Sequence, residues 1–418
     1  MSSRKAGAVS LGAAMAALLG GSAAWADAAP ADTASSPALS DAIASGKLIL
    51  EFRPRFEGVD QANLKRDAEA YTLRTHLGWE TGAWHGAKAL VEISDVAHTG
   101  PEHYNTTVNG KTLYPVIGDP DQVRLNRAQL SWTANDNFSV TLGRQRINLD
   151  DQRFVGNANW RQNEQTFDAA RVDAGYGPLK ATYIYIGHVN RVFGDTLDWS
   201  SESHLFNAGY TLSDLLKVQG FYYALDFTTS TAAAKAASTA TSGAKVTGKA
   251  WVSLYQLAYG ATYAHQTEYG RNPGHFALDY WEGDVTGTFD IYSVKAMYES
   301  MEGDGVRGFA TPLATLHIYQ GWADAFLTTP AKGIQDANLA LSVKPRFKFT
   351  YLYNTEFFVR YHDFKTETTD KSLGSEWDLQ ATGAITPKIT ALAKVADYHG
   401  VTGTPSRTKV WFGFEYKF

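Results

Sequence analysis

The chain has no cysteine and only 4 methionines in 418 residues. Without cysteine there is no disulfide framework, no thiolate metal site and no cysteine nucleophile. After the first 26 positions no run of about 20 apolar residues occurs, which excludes crossing a membrane by helices. Charged residues make up only 19%, and no basic cluster stands out, which argues against a nucleic-acid partner and a disordered tail. No Gly-x-Ser-x-Gly elbow, His-Glu-x-x-His, P-loop or dinucleotide fingerprint is present, and the 11 histidines are scattered. What the chain has is aromatic rings. Trp 11, Tyr 22 and Phe 21 make 13% of a chain whose mean hydropathy is −0.28. That combination fits several soluble domains or one large barrel of alternating greasy and polar residues.

Residues 1–26 have the form of a signal peptide. Arg4 and Lys5 precede an apolar stretch from Val9 to Leu19, and Ala24-Trp25-Ala26 fits the small-x-small cleavage rule. Residues 27–46, rich in Ala, Ser, Pro and Asp, are expected to be a flexible lead-in. Residues 47–418 are expected to form the folded body.

From Lys47 onward the dominant period is two. Leu48, Leu50 and Phe52 alternate with Glu51, Arg53 and Arg55, and Val410, Phe412, Phe414, Tyr416 and Phe418 alternate with Lys409, Trp411, Gly413, Glu415 and Lys417. Side chains on a strand point to opposite faces, so each segment has one greasy and one polar face. A soluble sandwich shares that pattern. The segments here run about 10–14 residues, closer to the length a membrane strand needs. Short polar turns alternate with long loops, and aromatics cluster at strand ends, as in transmembrane barrels. The period marks seventeen segments, and 248–270 is too long for one of them. Splitting it near Gly260 puts all short turns on one rim. The fold class expected is therefore all-β, a transmembrane antiparallel barrel of 18 strands, with 16 as the alternative. Short periplasmic turns (Thr81-Gly82-Ala83, Gly177-Pro178, Thr286-Gly287, Thr386-Pro387) face long extracellular loops at 98–120, 147–165, 190–201, 229–247, 303–333 and 363–373. The 229–247 loop is low-complexity Ala/Ser/Thr, mobile or else a short helix.

Two segments depart from ordinary barrel sequence. One runs from Gly143-Arg144-Gln145-Arg146-Ile147 through Arg153-Phe154-Val155-Gly156-Asn157 to Trp160-Arg161-Gln162-Asn163-Glu164-Gln165-Thr166-Phe167-Asp168. The other is Phe309 to Asp336, containing TPLATLHIYQGWADAFLTTP. With the early Arg53-to-Glu57 strand and Thr72-Leu73-Arg74-Thr75, these resemble the alginate export family of outer-membrane proteins over roughly residues 47–418. The resemblance implies an eighteen-stranded barrel that carries an acidic polysaccharide past a band of arginines and lysines. The alginate exporter itself carries a long periplasmic loop near its C-terminal strands; the matching turn here is only Ile385-Thr386-Pro387-Lys388.

The polar faces carry Glu51, Arg53, Arg55, Glu57, Arg74, Arg171, Asp173, Lys295, Glu299, Lys348, Glu356, Arg360, Asp378, Lys394 and Lys409. A water-filled lumen tolerates charge, whereas the lipid midplane costs about 2–4 kcal/mol for Arg or Lys. The pore-lining candidates are Arg53, Arg55, Arg74, Arg144, Arg146, Arg161, Arg171, Lys295, Lys348, Glu356, Arg360 and Lys394. Arginine's planar fork suits carboxylates, and transport needs weak, repeated contact. Each of these residues can equally brace the wall in an Arg–Glu network. The Trp160–Glu164 run is either a constriction folded into the pore or a loop anchored at the rim. Leu313, Leu316, Ile318, Trp322, Phe326 and Leu327 are expected to pack as a cap or wall lining. Asp119, Asp121, Asp150 and Asp151 are calcium candidates or solvated turn acids; otherwise no cofactor is expected. The expected function is an outer-membrane channel for an anionic, alginate-like glycan, with a general or sugar-selective uptake porin, or a barrel enzyme or adhesin, as alternatives. The expected partners are an anionic glycan cargo, outer-membrane lipid and lipopolysaccharide, and a periplasmic export or uptake protein around a single-chain barrel.

Overall fold

The computed structural model describes residues 38–346, 352–401 and 403–418. The expected signal peptide, most of the expected lead-in, and Lys348 lie outside these residues. A short helix, α1 (Leu39–Ala44), leads into the strands β1 (Lys47–Gln61), β2 (Ala68–Glu80), β3 (Ala87–His98), β4 (Gln122–Asn135), β5 (Phe138–Gln145), β6 (Thr166–Tyr176), β7 (Leu179–Asn190), β8 (Trp199–Ser213) and β9 (Leu216–Ala224). After helix α2 (Ala232–Ala236) come β10 (Thr239–Val252), β11 (Tyr255–Glu268), β12 (Ala277–Phe289), β13 (Tyr292–Met301), β14 (Ile334–Val343), β15 (Tyr353–Lys365), β16 (Ser372–Thr386), β17 (Ile389–Gly400) and β18 (Arg407–Lys417).

Every strand pairs antiparallel with its sequence neighbours, and β1 also pairs with β18, so the sheet of 18 strands closes. Closure leaves no edge, and the wall's backbone amides pair from strand to strand without needing water. Alternation gives the wall its two faces. On β1, Arg55 and Glu57 are buried inside while Phe52 faces out; on β18, Trp411 is buried inside while Phe412 and Phe414 face out. The outer face is a continuous belt of Leu77, Val91, Ile93, Leu130, Leu142, Leu339 and their neighbours, all exposed. In water such a belt would be an aggregation site; in lipid it is solvated.

The strand count agrees with the sequence reading, but three boundaries differ. The long 248–270 segment breaks at Ser253-Leu254, where Ser253 takes φ 57, and not at Gly260, which sits mid-strand in β11. The 229–247 stretch is not one loop: α2 occupies its Ala run, and β10 begins at Thr239. Small alternating residues suit β10 because its inward Thr239 and Thr241 are buried. Thr286-Gly287 lies inside β12; the turn falls at Asp290-Ile291, with Asp290 at φ 52. The end of the lead-in is also ordered, since the Gly82 amide donates to the Ala42 carbonyl at 2.7 Å and ties α1 to the β2–β3 turn.

Two long connections fold inward. The first inner loop, residues 146–165, and the second, residues 302–333, meet in a parallel bridge between Val155 and Leu313. The Gly156 amide donates to the Leu313 carbonyl at 2.8 Å, and Gln165 Nε2 donates to the same carbonyl at 3.1 Å. Phe154 packs against Phe221, Tyr223, Tyr280 and Phe309, joining both loops to the inward faces of β9 and β12. The largest apolar core therefore lies inside the barrel. Inward Ile184 and Ile186 of β7 belong to it.

Candidate functional site

The inner loops form a partition across the lumen. Arg53 and Arg55 of β1 hold the first loop by its backbone carbonyls: Arg53 donates to Asn159 at 2.8 Å and to Arg161, and Arg55 donates to Trp160 at 2.6 Å. Arg55 also pairs with Asp119, which accepts the Gln162 amide at 2.8 Å. Arg74 pairs with Glu51, lies 3.4 Å from Glu415, and donates to the Asn159 side chain at 3.0 Å. Arg53 and Arg55 position the loop backbone, because a guanidinium has several donors and a loop carbonyl has no strand partner, and Arg74 holds the same loop through a side chain.

Lys394 of β17 sits at the meeting point of both loops and the wall. Its ammonium lies 4.1 Å from the ring centre of Trp160, 3.5 Å from Trp322 and 5.3 Å from Trp411. It donates to His317 Nε2 at 2.7 Å, and His317 Nδ1 faces Asp324 Oδ1 at 2.8 Å. With the ammonium charged, the imidazole must carry its proton on Nδ1 and donate to Asp324. The Trp160 and His317 rings stack 4.5 Å apart at an interplanar angle of 2°. Asp324 also faces Lys409 at 2.6 Å and Arg161 at 3.0 Å, and Arg161 reaches Glu57 at 3.2 Å. Gly321 permits this seating. It takes φ 79, and a Cβ there would lie 2.4 Å from the Glu376 carboxyl. Glu376 accepts the Ala323 amide at 2.7 Å.

Burial and then Lys394 push the His317 imidazole down to about 3. Burial works to raise the Asp324 carboxyl, yet Lys409, His317 and Arg161 hold it well below the usual carboxylate range. Burial also opposes ionisation of Glu164, but Arg146 holds it at about 2. An unfolded histidine takes up its proton near pH 6.5, and an unfolded glutamate near about 4.3. The folded partition takes up neither until far lower pH, so its stability is complete above about 6.5 and falls as acid is added. Trypsin cleavage within the first inner loop is therefore expected to rise between pH 6.5 and 5. His317→Gln should flatten that rise, and an unchanged profile would remove His317 from the account.

Cavities flank the partition. A vestibule of about 920 Å³ on the long-loop side is lined by Arg153, Arg191, Phe193, Trp199 and Arg307, among others. It meets a smaller cavity of about 160 Å³, lined by Trp160, Arg161, Thr315, His317, Arg407 and Lys409. Trp160 and Thr315 also line a cavity of about 500 Å³ with Arg53, Arg55, Thr382 and Glu415 towards the short-turn rim. Another cavity on that side, about 280 Å³, is lined by Lys180, Lys217 and Lys245. Lys245 pairs with Asp151, while Lys180 and Lys217 have no ion pair among the described residues. Sequence reasoning missed these three lysines. Strand β7 reads Tyr-Ile-Tyr-Ile after Lys180, so its inward face cannot be told from its outward one.

The other expected site residues divide. Arg146 and Arg161 lie on the first inner loop and are paired, with Glu164 and with Glu57, Asp119 and Asp324. Arg171 pairs with Asp173, Lys295 faces Asp284 at 3.5 Å, and Glu356 faces Lys344 at 3.7 Å, all partly exposed in the wall. Arg360 lies over the Phe358 ring. Arg144 is a correction. It stands opposite Ala128 and Asp168 on the parity of Leu142, so it faces outward and does not line the pore. Its neighbour Gly143, at φ 105, lies at that end of the strand, where the polar–apolar order breaks. The four calcium candidates are each held by protein groups: Asp119 by Arg55, Asp121 by His98, Asp150 by Asn207 and Asp151 by Lys245.

A closed antiparallel barrel with a lipid-facing belt and a charged, loop-partitioned lumen defines an outer-membrane channel of the porin kind. Solved structures share the architecture. OccK9 (OpdG) of Pseudomonas aeruginosa matches with a TM-score of 0.69 at 14% identity, over 90% of this chain and 100% of that one. OccAB4 of Acinetobacter baumannii matches with a TM-score of 0.70 at 10% identity, over 90% and 98%. OpdK of Pseudomonas aeruginosa, solved with vanillate, matches with a TM-score of 0.68 at 12% identity, over 90% and 99%. At these identities the likeness shows the fold. The chain itself belongs to the alginate export family, whose sequence profile, described as alginate export, matches residues 47–281, more than half its length. No curated protein sequence matches it. It is an outer-membrane protein.

Proposed function

We propose that this channel passes carboxylate-bearing saccharides, alginate-like oligosaccharides in particular, down their own gradient. The observation that carries the reading is the placement of cations on both sides of the partition: Arg191, Arg407 and Lys409 on one, Lys180, Lys217 and Lys245 on the other. An anion crossing the lumen meets cationic groups before and after the partition. Lys409 and Lys245 already have carboxylate partners, while Lys180 and Lys217 have no ion pair among the described residues, and none encloses the anion, as transport requires. Aromatic faces accompany the cations. Arg191 lies over Trp199 at 3.9 Å and Phe193 at 4.9 Å, a surface suited to a sugar ring bearing a carboxylate. The partition favours short chains over a long polymer, because Trp160 and Thr315 stand between the cavities.

Uptake of small organic acids is the second reading, supported by OpdK having been solved with vanillate. Planar-bilayer recording separates the two. Reversal potentials in a salt gradient are expected to show anion preference. Uronate oligomers of two to four residues should block current at concentrations where neutral maltooligosaccharides do not. Cation preference would overturn the whole reading. Block by small aromatic acids but not by uronate oligomers would favour the second.

A further inference from the structure

A cluster that the transport reading does not use lies where the first inner loop meets the wall. His76 on β2, Glu92 on β3 and Glu164 on the loop each place one ligand atom within 4.8 Å of the others. His76 is 0% exposed, and neither of its ring nitrogens has a hydrogen-bond partner. A buried imidazole carries at least one N–H and one lone pair, or two N–H groups, and both sites here are left unmade.

We propose that His76, Glu92 and Glu164 bind a divalent transition cation of the zinc class, which staples the first inner loop to the barrel wall. The spacing permits a shared central atom. All three ligand atoms lie within 4.8 Å of one another, close enough for side-chain adjustment to bring them to the ~2.0–2.2 Å reach of one zinc ion to nitrogen and oxygen. One imidazole with two carboxylates is a donor set that suits zinc; magnesium and calcium prefer oxygen alone.

The surroundings are built as an outer shell. Arg127 Nε donates to Glu92 Oε1 at 2.9 Å, and Arg146 Nε donates to both Glu164 oxygens at 2.7 and 2.8 Å. Asn126 Nδ2 bridges the two carboxylates, donating to Glu92 at 2.7 Å and to Glu164. Asn157 Nδ2 donates to Glu164 Oε2 at 3.0 Å. Ligating carboxylates are ordinarily oriented by such bonds. The two guanidiniums balance the carboxylates and oppose the incoming charge, which sets a moderate affinity. With the cation bound, the cluster becomes net positive beside the partition, in the sense that favours anion passage.

The test is zinc titration of the full refolded chain by calorimetry in a non-chelating buffer. One saturable site is expected, weakened at least tenfold in His76→Gln and in Glu164→Gln. Far-UV circular dichroism confirms that each variant keeps its barrel, and Glu164→Gln serves if His76→Gln does not fold. Bound zinc should also slow trypsin cleavage of the first inner loop in the wild type and not in His76→Gln. The exposed His275 is the control, and His275→Ala should leave the site intact. Absence of a saturable site would overturn the proposal. So would zinc binding that survives His76→Gln but is lost with His275→Ala.

Discussion

Replacing Lys394 with alanine is expected to raise single-channel conductance several-fold and to make the open current noisy. The ammonium is the point at which Trp160 of the first loop, Trp322 and His317 of the second, and Trp411 of the wall all meet. Desolvated cation–π contact is worth about 2 kcal/mol or more, and the buried bond to His317 adds to it. The alanine variant removes those contacts, leaves a void among three indoles, and strips His317 of its donor. The barrel should survive, because its hydrogen-bonded wall does not pass through this side chain. Lys394→Met separates the causes. It fills most of the volume without the charge, so a near-wild-type conductance in the methionine variant would make packing the dominant restraint. Unchanged conductance in the alanine variant would mean that the first loop alone sets the constriction.

Replacing Arg161 with glutamine is expected to turn anion preference into cation preference. Arg161 faces Glu57 at 3.2 Å, Asp324 at 3.0 Å and Asp119 at 3.6 Å. Those three carboxylates would keep only Arg55 and Lys409 as close cationic partners. The local balance then becomes negative beside the partition. Removing one partner of a buried ionic network costs about 3–5 kcal/mol, so the loop should also become protease-sensitive. Arg144→Gln is the matched control, since that arginine faces outward. Reversal potentials are the readout. Retained anion preference in Arg161→Gln would place selectivity in the lysines on the other side of the partition.

The barrel was legible in the sequence because its physics is local. A strand that separates lipid from water must alternate, and β1, β2 and β18 do so at nearly every position. Legibility fails where that contrast disappears. On β7, Tyr183 and Tyr185 face out while Ile184 and Ile186 face the inner-loop core, so both faces are apolar and Lys180 could not be assigned to the lumen. On β10, small residues carry no strong pattern, and its first part, up to Thr247, reads as loop. Trp160 was legible as unusual but not as half of a stack with His317, 157 positions away in sequence.

The sequence by itself determined the class: a cysteine-free chain of mostly alternating strands, eighteen in a closed barrel, with a lipid-facing belt and an alginate-export signature. Those follow from nearest-neighbour periodicity and from short motifs, which need no knowledge of what lies across the lumen. Only the tertiary structure decided which charges hold the partition and which stand free in the cavities. Arg53 and Arg55 bind loop backbone and Arg74 the Asn159 side chain of the same loop, whereas Lys180 and Lys217 face open space. The reason is that an ion's role is set by its nearest opposite charge or acceptor. Here those partners arrive from loops more than a hundred residues distant, folded back through the ring that the strands enclose.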